Sequence, residues 1–143
     1  MAALNQMKMQ ISAISGNESF IRSAAAAFCV PLNPSLDVIN DIKTAVSEAA
    51  TNVIIHAYDK PGENFIYIDA ELFDGGLSII IRDTGKGIAD VGLAMQPAFT
   101  SKPEDERSGM GFTFMQTFMD ELEVKSVVGE GTSVGMKKYI KSE

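Results

Sequence analysis

The sequence predicts an α+β fold, a two-layer sandwich with helices on one face of a mixed, mostly antiparallel sheet. Three observations predict it. Apolar residues alternate at two-residue steps in the segments opening at Met7 and Ile66, and they recur at three- and four-residue steps between Asn17 and His56. The resulting order is strand, helix, helix, strand, strand, loop, helix, strand, strand, which suits helices gathered against a largely antiparallel sheet. With 143 residues, 45% hydrophobic and 22% charged, the chain can bury one core and is read as a single domain, 1–143, without repeat or linker.

In Met7 to Ile14 the side chains of Met7, Met9, Ile11 and Ala13 oppose Lys8, Gln10 and Ser12, the pattern of a half-buried strand. Asn17 is expected to cap a helix running to Cys29, with Glu18 in its first turn, Phe20, Ile21, Ala24, Ala27 and Phe28 as its buried stripe, and Pro31 as its stop. Ser35 or Asp37 opens a second helix to about His56, and its stripe is Ile39, Ile42, Val46, Ala49 and Val53. After the break at Pro61-Gly62, Ile66, Ile68, Ala70 and Leu72 alternate with polar and aromatic residues up to the turn Asp74-Gly75-Gly76. The denser run Leu77 to Arg82 returns as the more central strand of this hairpin. From Asp83 to Gly111 periodicity fades among turn formers, a length that marks a functional loop or disorder. A helix from about Gly111 to Glu121 buries Phe112, Phe114 or Met115, and Phe118; two strands then close the chain around Gly129-Glu130-Gly131.

Bulk properties exclude several function classes. A formal net charge of −7 disfavours direct nucleic-acid or acidic-membrane binding, since phosphates are attracted to clustered Lys and Arg, and a basic protein partner suits the chain better. Cys29 is the only cysteine, so neither an internal disulfide nor a multi-cysteine metal site is possible, and its apolar neighbours suit a buried small hydrophobe. No stretch approaches the ~20 apolar residues of a membrane helix, and Met1 to Gln10 lacks a secretory apolar run, so a cytoplasmic protein is expected.

Three constellations carry chemistry. Glu48 and Asn52, four apart, project together from the flank of the second helix's apolar stripe. There a carboxylate can act as a general base and a carboxamide oxygen can complete the shell of a Mg²⁺ held mainly by phosphates and water. The same pair also suits the solvated face of an ordinary amphipathic helix. Asp83-Thr84-Gly85-Lys86-Gly87 follows an apolar strand, which puts a carboxylate able to accept from an exocyclic amine beside an adaptable backbone. Such a segment is also common in plain surface turns. Ser108-Gly109-Met110-Gly111 precedes the last helix, where backbone N–H groups can bind a polyphosphate. The Walker A, dinucleotide-binding and eukaryotic kinase signatures are absent.

Taken in this order, these elements resemble the ATPase superfamily of gyrase, histidine kinases and mismatch-repair proteins. Glu48 to Asn52 resembles its N box, Asp83 to Gly87 its first glycine box, Ser108 to Phe112 its second, and Gly129-Glu130-Gly131-Thr132 its last. Asn17 to Phe20, Ser47 to Ala49, Phe99-Thr100 and Arg107 to Thr113 are similar to the bacterial anti-sigma serine kinases, specifically the sporulation anti-sigma-F (SpoIIAB) type.

The resemblance implies the histidine-kinase/gyrase-type ATPase fold, ATP/ADP and Mg²⁺ as cofactors, and a protein-serine kinase. In it Glu48 would take the proton of an acceptor serine, Asn52 would ligate Mg²⁺, and Asp83 would bind the adenine amine with Thr132 assisting through water. The backbone of Gly109, Met110 and Gly111 would cradle the phosphates next to Ser108, while Gly85 and Gly87 would let the chain approach the base and sugar. Arg107 would reach the γ-phosphate or remain a solvated charge; Lys86 and Lys102 are expected to be solvated, and His56 to be a helix-end cation or wedge. Gly92 to Arg107 would form an ATP lid. The implied partners are a sigma factor of the sigma-F type, a SpoIIAA-type anti-anti-sigma protein phosphorylated in partner switching, and a second copy in a homodimer. Glu18 and Arg22, one turn apart, would contact partners. Alternatives are a nucleotide-gated sigma-sequestering protein without kinase activity, a general-stress relative, a detached histidine-kinase catalytic domain and a DNA-gating ATPase. The last two would need a phosphoacceptor domain, or transducer domains and a basic surface, which are not expected of a single acidic domain.

Overall fold

The computed structural model describes residues 3–59, 64–96 and 111–141. Strand β1 (Asn5–Ser12) leads into α1 (Asn17–Phe28), a short 3₁₀ turn (Val30–Leu32) and α2 (Leu36–Asn52), followed by the hairpin β2 (Phe65–Phe73) and β3 (Gly76–Arg82). The short helix α3 (Val91–Ala94), then α4 (Gly111–Phe118), β4 (Glu121–Val127) and β5 (Gly131–Tyr139) complete the order. The sheet order is β1-β2-β3-β5-β4, so β3 is central as its apolar run predicts. All four pairings are antiparallel; the parallel element expected of a mixed sheet is not found among the described strands. Hairpins join β2 to β3 and β4 to β5, a helical excursion returns β2 antiparallel to β1, and the excursion through α4 brings β4 in along the direction of β3, with β5 between them and antiparallel to both.

Register explains the layers. Met9, Ile68, Ile81, Val134 and Val124 oppose one another across the strands and share the face that meets the helices. The other face carries Lys8, Asp69 and Arg82, with Asp69 pairing to both cations at 3.6 Å and Arg82 stacked 4.6 Å over the Tyr67 ring. From the helical side Ile42, Ala45, Val46, Ala49 and Ala50 of α2 enter the core, all at most 1% exposed. Ser35 caps α2 by accepting the Val38 N–H at 3.2 Å.

Helix α1 departs from expectation. Its buried residues are Ile21 and Ala25, continued by Cys29, whereas Phe20 is 55% exposed and Ala27 is also exposed. Asn17 does not cap it either: Gly16 stands at the cap position, and the Asn17 amide donates to the Ser12 carbonyl at 2.8 Å, tying the helix start to β1. Burial pushes the Cys29 thiol up to about 12, as befits a small core hydrophobe. Helix α2 does not run unbroken to His56; after Asn52 it widens into a π-helical turn, Val53–Ala57. In α4 the buried residues are Phe112 and Met115, while Phe114 and Phe118 pair half-buried with ring centroids 6.3 Å apart.

Candidate functional site

A cavity of about 290 Å³ opens between the sheet and the helices, within reach of the size at which small-molecule sites begin. One wall comes from α2 and its π turn (Asn52, Val53, His56, Ala57), the floor from Ile81, Asp83, Thr132 and Val134, and the opposite rim from Ile88, Leu93 and Ala94. Gly87, Gly111 and Phe112 also border it. The N box, the first glycine box, the start of α4 and the last box therefore meet around one space, although they lie far apart in sequence.

Asp83 stands at the end of β3, only 8% exposed. Its Oδ1 accepts the Gly85 N–H at 2.9 Å and the Thr132 N–H at 3.2 Å, while its own N–H donates to the Thr132 carbonyl at 2.9 Å. Burial raises its pKa, and the two backbone donors pull it part of the way back. Both backbone bonds are recorded on Oδ1, and the carboxylate borders the cavity, where it is suited to accept from an amine.

The loop after Asp83 is fastened to the end of α2. Lys86 N–H donates to the Ala57 carbonyl at 2.8 Å, a helix-end group with no intrahelical partner, and a Cβ on Gly85 would run into that carbonyl. Only glycine permits the approach. Tyr58, directly after the turn, donates its hydroxyl to the Phe65 carbonyl at 2.6 Å and accepts the Thr84 N–H at 3.1 Å. Lys86 is paired to Asp59 at 3.0 Å rather than solvated alone. His56 lines the cavity wall.

Ser126 is a hub that the motifs do not mark. Its Oγ accepts the Ile88 N–H at 2.7 Å, donates to the Gly131 carbonyl at 3.1 Å, and lies 2.8 Å from the Thr132 hydroxyl. Since the Ser126 proton is engaged on Gly131, the proton between the two hydroxyls belongs to Thr132, whose remaining lone pair is an acceptor beside Asp83. The signal in the sequence is a hydroxyl where the alternation Leu122, Val124 calls for another apolar residue.

At the other end, Glu48 and Asn52 of α2 are half-buried and converge on the start of α4. A Cβ on Gly111 would lie 3.2 and 3.4 Å from the Asn52 carboxamide atoms and 3.3 Å from Glu48 Oε2, so the helix begins in direct contact with both side chains. Asn52 faces the main cavity, whereas Glu48 faces a second, polar cavity of about 300 Å³ that it shares with Arg22, Lys43 and Ser47. Arg22 also pairs with Glu18 at 3.4 Å, so the predicted α1 pair borders this second cavity through Arg22. Among the described residues no cluster of three or more His, Cys, Asp or Glu forms a metal cage. A single carboxamide oxygen fits Mg²⁺, which takes most of its ligands from phosphate and water. Gly92 of the expected lid lies in α3, whose cap is Asp90 accepting the Leu93 N–H at 3.0 Å. Residues 97–107 of the lid, with Phe99, Thr100, Lys102 and Arg107, and Ser108, Gly109 and Met110 of the second glycine box lie outside the described residues.

Comparison with known proteins agrees with this geometry. Residues 15–138 match the family described as histidine kinase-like ATPase domain. The chain is 52% identical over 136 residues to the anti-sigma F factor of Geobacillus sp. (strain WCH70), covering 95% of this chain and 93% of that one. It is 55% identical to that of Caldanaerobacter subterraneus subsp. tengcongensis, with 95% and 94% covered, and 50% identical to that of Priestia megaterium, with 95% and 93% covered. Among solved structures, the RsbU and RsbW domains of Rv1364c from Mycobacterium tuberculosis share the fold with a TM-score of 0.69 at 17% identity; the match covers 95% of this chain and 32% of that one. No helix among the described residues is long and apolar enough to cross a membrane. By fold, site and similarity along nearly its whole length, the chain belongs to the anti-sigma F factor family of histidine-kinase-like ATPases.

Proposed function

We propose that this chain, as a single domain and a cytoplasmic homodimer, holds a sporulation sigma factor of the sigma-F type inactive and, with Mg-ATP, phosphorylates a serine of its SpoIIAA-type anti-anti-sigma antagonist. Support for the partner half is the 50–55% identity to proteins named anti-sigma F factor. The observation that carries the enzymatic half is the convergence of Glu48 and Asn52 on Gly111 at the start of α4.

Placement around the two cavities supports the roles of Asp83, Thr132, Asn52 and Glu48, and the family resemblance supports those of Arg107 and Ser108 to Met110. Asp83 accepts the adenine amine, with Thr132 and its Ser126-oriented hydroxyl beside it; Gly85 and Gly87 keep the backbone close to base and sugar. Asn52 offers its carboxamide oxygen to Mg²⁺ where the main cavity meets α4. Mg-ATP supplies the phosphoryl group, and the protein's part is to position it and neutralise charge: the backbone of Ser108 to Gly111 cradles the phosphates and Arg107 reaches the γ-phosphate from the lid, 92–107. Glu48 would take the proton of the acceptor serine as that oxygen attacks the γ-phosphorus, the bond from that phosphorus to the β–γ bridging oxygen breaks, and ADP leaves with the bonding pair. Because Glu48 opens toward the polar cavity rather than the base pocket, the acceptor approaches over Arg22 and Glu18 while the nucleotide occupies the other side.

The test mixes the protein, Mg-ATP labelled on its γ-phosphate and the candidate antagonist, with Glu48→Gln in parallel. Wild type is expected to label the antagonist's serine, and Glu48→Gln to bind ATP normally but transfer at least about 100-fold more slowly. Normal transfer by Glu48→Gln removes the base assignment. ATP binding by wild type without transfer selects instead a nucleotide-gated protein that sequesters sigma and is no kinase.

A further inference from the structure

On the helix-facing side of β5 the residues are Val134, Met136, Lys138 and Ile140; three are core residues 2–6% exposed, and the fourth is a lysine whose side chain is only 13% exposed. Its Nζ donates to Asp41 Oδ2 of α2 at 3.2 Å and to the carbonyl of Phe118, the last residue of α4, at 2.6 Å. One cation thus closes the carbonyl end of α4 and ties it to α2.

Asp41 precedes Glu48 by seven residues, two helical turns on the same face and about 10 Å along the axis. The eight residues of α4 span about 12 Å. The two helices therefore run side by side in opposite directions, in contact at one end through Gly111 against Glu48 and Asn52, and fastened at the other through Lys138. A slip of α4 by one residue would move Gly111 by about 1.5 Å relative to Asn52. An apolar residue would fill this position without the cost of desolvating a lysine, so the two bonds that Lys138 makes point to orientation rather than stability.

We propose that Lys138 is a positioning residue that fixes the register of α4 on α2, and thereby the phosphate end of the nucleotide site; this rests on the reading of that site as an ATP site. Adenosine, held at the Asp83 end alone, is the control ligand. For Lys138→Met the Kd for Mg-ATP is expected to rise about tenfold while that for adenosine, followed by NMR titration, stays within about twofold. Lys138→Arg, which can reach both oxygens, restores most of the ATP affinity. Asp41→Asn keeps the bond to the Phe118 carbonyl, loosens only the α2 side, and shows the same bias toward ATP at smaller size, which keeps the test open if Lys138→Met does not fold. Equal changes in both affinities, or none, with wild type binding ATP overturn the role of Lys138 alone; wild type that binds no Mg-ATP overturns the nucleotide reading and this proposal together.

Discussion

At Asp83 two demands conflict. The proposed adenine role needs an ionised acceptor, yet burial raises the carboxyl's pKa more than the Gly85 and Thr132 N–H groups lower it. A group held more tightly protonated in the folded chain than in the unfolded one contributes stability that is full below the ordinary carboxylate range, about pH 4, and is lost as pH rises through the folded value. At neutral pH the charge of Asp83 is therefore a cost to the free protein, borne for binding. Asp83→Asn keeps an oxygen able to accept from both N–H groups, but directs an amide NH₂ at the adenine amine. Urea unfolding should show the variant gaining on wild type at neutral pH relative to about pH 4. Its ATP affinity should fall roughly tenfold to 100-fold, the worth of a buried polar group left facing a like partner. A stability difference that does not change with pH contradicts the burial argument, and undiminished ATP binding contradicts the adenine role.

Among the elements, the junction of α2 with the loop after β3 bears the most on the site. Ala57 ends the π turn, so its carbonyl has no intrahelical partner, and Gly85 and Lys86 close onto it. In Gly85→Ala the new Cβ meets that carbonyl, so the loop must lift and the Lys86 bond break; denaturant unfolding should record a loss of about 1–3 kcal/mol, with ATP binding weakened in parallel. A variant as stable as wild type would mean the loop has another seat. None of this junction is legible in the sequence, because a π turn and the partner of Ala57 depend on contacts 29 residues downstream. The hairpin of β2 and β3 was legible, since Ile66, Ile68, Ala70 and Leu72 fix the phase of a period of two and Asp74-Gly75 fixes the turn. Helix α1 exposes the limit of the method: Ala24 to Ala27 are four alanines in a row, which carry no hydrophobic phase, so Phe20 drew the predicted stripe off the true face of Ile21, Ala25 and Cys29. In the candidate site, spacing and strand end single out Glu48, Asn52 and Asp83 but suit a solvated helix face and a surface turn as well, and it is the resemblance that attaches roles to them. Ser126 and Lys138 left only the trace of a polar residue in an apolar phase, which reveals an inner polar position without naming its partners.

For the molecule as a whole, the two ends of the site belong to different layers. Asp83, Thr132 and Ser126 sit on the sheet, at the ends of β3, β5 and β4, whereas Asn52, Glu48 and Gly111 sit on the helices. A nucleotide spanning both ends is held by two layers whose own contact is the core of Ile42, Val46, Ile81 and Val134, so binding energy is returned to the fold rather than to a peripheral loop. At a free Mg-ATP concentration about 100 times Kd the linkage amounts to about 2.7 kcal/mol. For a domain of this size that raises Tm on the order of 10 °C. Adenosine at the same multiple of its own Kd should give the same rise, since linkage depends only on occupancy, and Asn52→Ala should need far more Mg-ATP than wild type to reach it while its adenosine curve is unmoved. Thermal unfolding across a titration of each ligand measures all three. Should Asn52→Ala shift the adenosine and Mg-ATP curves alike, Asn52 would be holding the two layers together rather than the metal-bound phosphates, and the division of the site into a sheet end and a helix end would fail.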